Sequence, residues 1–317
     1  MISTRHQRPT TLVGVLDLER LDVDIFRGWS SHGELPVRLF GGQVAGQALI
    51  AAGRTVEPAR SVHSLHAYFL RPGDPAVPVI YLVDRIRDGG SYSTRRVVGV
   101  QLGETIFQLS ASFHLPAQGP THAEPMPLVP PPDQVRTLED WYADAGAASA
   151  PWMQWFRAGQ FRTEVRCVDE PPALAAERGP RPARQRVWFR SAEPLPDDPL
   201  VHVCALTYAS DLDLISTALL PHGKTTRDAG MASLDHAVWF HRPFRADGWL
   251  LHDRESPVAA GGHALVRAHV YDADGYLVAS IAQEGLVRTP RREPDHRVTA
   301  EQRVTAEQRG PMSSTSH

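Results

Sequence analysis

The spacing of apolar positions changes period several times along this 317-residue chain. "LDVDIF" (21–26), "HAYFLRP" (66–72), "RVWFR" (186–190) and "AVWFHRP" (237–243) alternate with period two, which predicts half-buried strands. "GGQVAGQALIAAGRTV" (41–56) and "YASDLDLISTALL" (208–220) instead predict helices. In the second stretch, Tyr208, Leu212, Ile215 and Leu219 fall within an arc of about 60° at roughly 100° per residue, as in a helix laid on a core. The first is rich in small residues, Gly41, Gly42, Ala45, Gly46 and Ala48, so its sheet is expected to wrap closely around it.

Two acids interrupt the second helical pattern. Asp213 points away from the Ile215/Leu219 side and reads as solvated, whereas Asp211 sits at the edge of the apolar arc. Asp211 is either a first-turn acid that offsets the helix dipole or a carboxylate aimed into a cleft. The pattern alone leaves both readings open.

The strands repeat. "GGSYSTRRVVGVQLGETIFQLSASF" (89–113) lies over "GGHALVRAHVYDADGYLVASIAQEG" (261–285) at a constant offset of 172, pairing Gly103 with Gly275 and Arg95 with Arg267. "HAYFLRP" and "AVWFHRP" match in the same sense, each ending in Arg-Pro. The order strand, helix, then several antiparallel strands therefore occurs twice, with turns such as Asp274-Gly275 between the later strands. Seven prolines in residues 115–133 mark an extended connector between the halves. The expected organisation is residues 1–118, a connector over 119–159, a second half over 160–290, and a disordered tail over 291–317 that repeats "RVTAEQ".

Composition narrows the function. At 42% hydrophobic, 22% charged and net charge −3, nothing draws the whole chain to nucleic acid or to a membrane surface, so an anionic ligand needs local basic groups. Cys167 and Cys204 stand in neither a zinc-type nor a redox spacing and read as buried thiols of a reducing compartment. The N-terminus has no signal-peptide core, and runs such as "LFGGQVAGQALIAAG" fall short of the roughly 20 apolar residues that span a bilayer, so a cytoplasmic protein with no membrane insertion is expected.

Several apparent signals have ordinary readings. His63 and His66 are an odd number of residues apart on a strand, as are His236 and His241, so neither pair can chelate one metal. They read as packing or hydrogen-bonding histidines. "GKT" (223–225) lacks the leading glycine of a phosphate loop, since Ala218 holds that position, and no GxSxG elbow is present. Of Arg95 and Arg96 at most one can face a phosphate, and a solvated edge is the simpler account.

"FGGQVAGQALIAA", "VHSLHAYFLRPGDP", "SDLDLISTALLPHG", "ASLDHAVWFHRPFRADGWLL" and "AQEGLVR", in this order, resemble the acyl-CoA thioesterase II family over residues 14–289. The resemblance implies an α+β architecture of two fused hotdog folds, each a long helix wrapped by an antiparallel sheet. It implies hydrolysis of fatty acyl-CoA, with the family's acid, hydroxyl and amide falling on Asp211, Ser233 and Gln283; Ser stands where several bacterial relatives carry Thr. Of the three, only the carboxylate can take a proton from water, and the chemistry needs no metal or cofactor. Burial should raise the Asp211 pKa while donors from Gln283 and Ser233 oppose the shift, and a backbone N–H at the N-terminus of the second helix is the expected oxyanion donor.

Three functions compete. A hotdog dehydratase would need an Asp and His five apart, but the fifth residue after Asp211 is Ser216. A catalytically silent acyl-CoA-binding protein would have no need of the acid, hydroxyl and amide together. Acyl-CoA hydrolysis remains. The 172 offset places Ala111 where the second half has Gln283, the Arg-Pro alignment sets Val62 against Ser233, and the first helix carries no acid before Glu57. One site per chain is therefore expected, and sheet edges and faces suggest a homodimer or higher homo-oligomer.

Overall fold

The computed structural model describes residues 8–31, 38–146, 162–225 and 230–288, so the tail expected over 291–317 lies outside the described residues. The first half carries helix α1 (Leu12–Leu16), strands β1 (Glu19–Asp22) and β2 (Ile25–Gly28), helix α2 (Gly41–Gly53), and strands β3 (Ser61–Phe69), β4 (Val79–Asp88), β5 (Tyr92–Gln101) and β6 (Glu104–His114). Helix α3 (Leu138–Asp144) follows. The second half carries β7 (Thr163–Cys167), α4 (Pro172–Ala175), β8 (Arg184–Ser191), α5 (Pro199–Ser210) and a 3-10 segment (Ile215–His222). Strands β9 (Gly230–Ser233), β10 (Asp235–Phe240), β11 (Leu250–Ala260), β12 (His263–Asp272) and β13 (Leu277–Arg288) complete it.

All strands join one antiparallel sheet in the order β1-β2-β4-β5-β6-β3-β10-β13-β12-β11-β8-β7, with β9 on β13. The halves meet at the β3–β10 seam, where Ala237 pairs with His66. The repeat seen in sequence is the β5–β6 hairpin against the β12–β13 hairpin; Gly103 and Gly275 both turn with φ in the left-handed region, +84° and +88°, where a Cβ would be strained. Period-two burial is clear in β5, whose alternate residues Ser93, Arg95 and Val97 are buried.

Helix α2 is buried along nearly its whole length, and α5 runs antiparallel beside it. The small residues serve this helix pair: a Cβ on Gly42 would lie 2.1 Å from the Tyr208 carbonyl oxygen and one on Gly46 3.1 Å from that of Cys204. The expectation that they admit the sheet holds at Gly41, where a Cβ would fall 2.8 Å from the Phe69 ring of β3, and is corrected at Gly42 and Gly46, where the close approach is to a second helix. Asp198 caps α5 by accepting from Leu200 N (2.9 Å), and Pro199 occupies its first position, where no N–H is missed.

Two other expectations fail for local reasons. "LDVDIF" is not one strand but the end of β1, a turn at Val23-Asp24 and the start of β2, because Asp24 takes φ +58° and its carboxylate receives two 2.8 Å hydrogen bonds from Arg85. "YASDLDLISTALL" is two segments: α5 stops at Ser210, Asp213 turns the chain with φ +53°, and the 3-10 segment resumes at Ile215. By composition Pro199–His222 is long and apolar enough to cross a membrane, but 83% of its most apolar window is buried inside the fold. Residues 115–131 carry no regular structure, yet Trp188 Nε1 donates to the Pro130 carbonyl (3.0 Å) and Met126 and Val129 pack beside Trp188 and Tyr271.

Candidate active site

The break in the α5 segment places Asp211. It is the C-cap of α5, so the first-turn reading is wrong for its own helix, yet it faces the N-terminus of α2. Phe40, the N-cap of α2, has no capping side chain, and the Gly42 N–H bonds the Asp211 carboxylate instead. An acid from one helix thus serves the positive end of the other. A Cβ on Gly41 would fall 2.7 Å from Asp211 Oδ2, so a glycine there lets the carboxylate approach the backbone.

Two strands bring its partners. Gln283 on β13 donates from Nε2 to Asp211 Oδ1 (3.0 Å) and to Ser233 Oγ (2.7 Å). Ser233 ends β9, which pairs with β13 at Gly285, and its hydroxyl donates to the same Asp211 oxygen (3.1 Å). The three candidates from three elements are therefore in mutual contact. Oδ2, beside Gly41, receives no side-chain hydrogen bond among the described residues.

Burial pushes the Asp211 pKa up, and His236, the Gln283 and Ser233 donors and the Gly42 N–H oppose this without cancelling it. The balance that the sequence leaves open thus favours desolvation. The expected oxyanion donor is corrected: α5 begins twelve residues before Asp211, about 18 Å away at 1.5 Å per residue, and the helix N-terminus at the site belongs to α2.

The cluster opens on a cavity of about 710 Å³ whose wall includes Phe40, Phe69, Ile106, Phe107, Val187, Phe189 and Leu219. Arg38, Arg71 and Lys224 also line it. Asp213 lines it too and is exposed, as its place off the apolar arc predicts; the protein wall around it raises its pKa, with Arg254 opposing. Arg254 is buried on the cavity wall, donating to His252 Nδ1 (3.1 Å) and to the Asp213 carbonyl (3.3 Å). Burial brings its pKa down to about 10, which still leaves a cation at neutral pH. Arg95 and Arg96 lie away from the cavity. Arg95 is fully buried on Asp88 and Thr55, which corrects the solvated reading, and Arg96 pairs with Asp84 in solvent.

Sequence reasoning passed over His236. Its ring is fully buried, Nδ1 meets Gln283 Oε1 and Nε2 lies 2.8 Å from Ser210 Oγ. Its hydrogen-bonding character is legible in the sequence, but its partners are not, because they stand 26 and 47 residues away. His63 and His241 bond Ser112 and Ser280, and among the described residues no group of three or more metal-ligating side chains converges.

Comparison with known proteins gives the family and the fold. Residues 156–286 match the family described as "Acyl-CoA thioesterase", and residues 29–114 match "Acyl-CoA thioesterase N-terminal domain". The chain is 41% identical over 290 residues to acyl-coenzyme A thioesterase 8 of Mus musculus, covering 89% of this chain and 90% of that one. It is similar to the crystal structure of acyl-CoA thioesterase II TesB2 from Mycobacterium marinum, with TM-score 0.74, 44% identity, and coverage of 89% and 99%. A hot dog fold protein from Alicyclobacillus acidocaldarius shares the fold at TM-score 0.70 and 22% identity, with coverage of 87% and 97%. With one half of the chain matching each of the two domain profiles, this protein belongs to the acyl-CoA thioesterase family and has the double hotdog fold.

Proposed function

We propose that this acyl-CoA hydrolase cleaves its thioester by general-base attack of water, with Asp211 as the base and Gln283 and Ser233 as the groups that aim it. The observation that carries the reading is the convergence of Gln283 Nε2 and Ser233 Oγ on one oxygen of a carboxylate in an apolar cavity wall. With Oδ1 held by both side-chain donors, Oδ2, which receives no side-chain hydrogen bond among the described residues, takes the proton as water attacks the carbonyl carbon. A raised pKa makes the carboxylate a stronger base than a solvated aspartate. The first-turn N–H groups of α2 lie beside it and supply partial positive charge to the tetrahedral oxyanion. Collapse of that intermediate expels the CoA thiolate, to which protonated Asp211 returns the proton.

Arg38, Arg71 and Lys224 on the cavity wall are the local cations that a chain of net charge −3 requires for the phosphates of CoA. The buried thiols Cys167, with its pKa pushed up to about 12 by burial, and Cys204 support a cytoplasmic location. Assembly as a homodimer or higher homo-oligomer is supported by exposed apolar residues near one sheet edge, Leu21, Val23, Leu82 and Ile86. Thiol release from a saturated acyl-CoA series, followed with a thiol reagent beside absorbance of any enoyl product, tests the reaction. Slow thiol release that Asp211→Asn leaves unchanged would refute the mechanism.

A further inference from the structure

Gln283 can aim Asp211 only if its amide is held one way round. Ionised Asp211 only accepts hydrogen bonds, so the amide end that faces it must be the NH2, and the two N–H groups go to Asp211 Oδ1 and Ser233 Oγ. Oε1 then points to the other side, toward His236 Nδ1. Rotating the amide by 180° would set its oxygen against a carboxylate and its NH2 against the imidazole. Which orientation prevails depends on whether Nδ1 carries a proton.

The other ring nitrogen answers this. Ser210 Oγ lies 2.8 Å from His236 Nε2 and 3.0 Å from the Thr207 carbonyl, so its single proton has two acceptors within reach. If the proton goes to Nε2, the imidazole is neutral and its own proton sits on Nδ1. If it goes to the Thr207 carbonyl, Nε2 donates to Ser210, and Nδ1 keeps a proton only in the imidazolium, since the neutral Nε2–H tautomer would set an acceptor nitrogen against Gln283 Oε1. With the amide NH2 turned to Asp211 and Ser233, the contact with Oε1 therefore selects the forms in which Nδ1 donates. Burial lowers the His236 pKa and so favours the neutral form, while Asp211, Gln283 and Asp235 oppose that shift.

We propose that His236 is a positioning residue, whose Nδ1–H locks the Gln283 amide in the orientation that presents its NH2 to Asp211 and Ser233. The chain of contacts runs Ser210, His236, Gln283, Asp211, through α5, β10, β13 and back to the end of α5. His236 reaches no reacting atom itself. Its ring is fully buried, so no solvent molecule replaces it. In the first half Leu65 holds the matching strand position at the 171-residue offset, opposite Ala111, which is consistent with a histidine required only where the glutamine is present.

This inference rests on the reading of Gln283 given above, and the test separates the two. His236→Asn places a side-chain amide N–H where Nδ1 stands, whereas His236→Gln places it nearer Nε2 and His236→Leu removes it. Asn is expected to keep kcat within a few-fold of the parent, and Leu and Gln to lower it roughly ten- to a hundredfold, the scale of one lost buried hydrogen bond, with KM little changed. In a Gln283→Leu background, His236→Leu should add less than about twofold, because the group it positions is gone.

The acid limb of the kcat/KM profile should move to higher pH in His236→Leu, since Gln283, Ser233, the Gly42 N–H and His236 are the groups that hold the Asp211 pKa down; on the far side His236 faces Asp235 and His252. His236→Asn should move it less. Melting temperatures of all variants separate these effects from unfolding, and if the Leu variant does not fold, the Asn and Gln pair alone decides. Equal losses in Asn and Gln, or losses that multiply in the Gln283→Leu background, would overturn the positioning role of His236. Normal turnover of Gln283→Leu would instead overturn the role of Gln283.

Discussion

Gln283 and Asp211 stand 72 residues apart in the chain and 3.0 Å apart in the fold, joined by a hydrogen bond from amide to carboxylate. Replacing the acid by its own amide keeps the shape and removes the base. Asp211→Asn is expected to lower kcat by roughly 10²- to 10⁴-fold with the circular dichroism spectrum unchanged. Turnover near the parent level in a folded variant would contradict the role of Asp211.

The raised Asp211 pKa has two consequences with opposite signs. Activity requires the carboxylate, so kcat/KM should fall as pH drops through a folded-state pKa that lies above the ordinary carboxylate value. Stability runs the other way. Between the unfolded and folded pKa values the native state binds more protons, so Asp211 costs stability as pH rises through that window and costs least below it. The stability of the parent relative to Asp211→Asn should therefore decline with rising pH there, as read by urea unfolding at several pH values.

Ser233 could in principle attack the thioester itself, since its hydroxyl donates to a carboxylate. The water mechanism predicts otherwise. Ser233→Ala should keep measurable turnover, lowered by roughly ten- to a hundredfold through loss of one aiming hydrogen bond. Rapid-quench mass spectrometry of the parent should find no acyl adduct on Ser233, and a kinetically competent adduct would replace water with serine as the nucleophile.

The first half holds unsuitable groups at the matching places. Arg54 is the C-cap of α2 as Asp211 is of α5, and it donates to the Leu18 carbonyl (2.7 Å). Val62 pairs with Phe113 as Ser233 pairs with Gly285, and Ala111 is buried where the second half carries Gln283. Titration with a nonhydrolysable acyl-CoA should give one site per chain, and turnover that survives Asp211→Asn at a second site would contradict this.

If Arg38, Arg71 and Lys224 hold phosphates, neutralising each should raise KM for acyl-CoA with kcat nearly unchanged. Added salt should raise KM in the parent and less in the variants, because screening acts on the same exposed charges. For acyl pantetheine, which lacks the nucleotide, the three substitutions should change KM little. A kcat effect as large as the KM effect would place them elsewhere in the mechanism.

The 171- and 172-residue offsets and the period-two runs made two repeated halves of strand, helix and sheet legible in the sequence, because strand burial writes itself as alternation wherever one sheet face is covered; that each half is a hotdog came from the family resemblance. The turn glycines Gly103 and Gly275 were legible for a similar local reason: only a residue without a Cβ adopts those angles without strain. The helical run around Asp211 was misread because apolar spacing reports which residues are buried and not where the helix stops. Tyr208, Ile215 and Leu219 are all buried, as the 3.6 period requires, although a left-handed turn at Asp213 separates them.

The sequence by itself determined the residue types that the chemistry needs, the family likeness that singles out Asp211, Ser233 and Gln283, and the asymmetry between the halves. Tertiary structure decided what surrounds them. The α2 N-terminus beside Asp211 comes from antiparallel packing of two helices far apart in the chain, Gly41–Gly53 and Pro199–Ser210, which no local pattern encodes. Burial of Arg95, exposure of Asp213 to the cavity and the link from His236 to Gln283 arise in the same way. Each depends on which distant backbone closes over a side chain, and desolvation and hydrogen-bond geometry are properties of that closure.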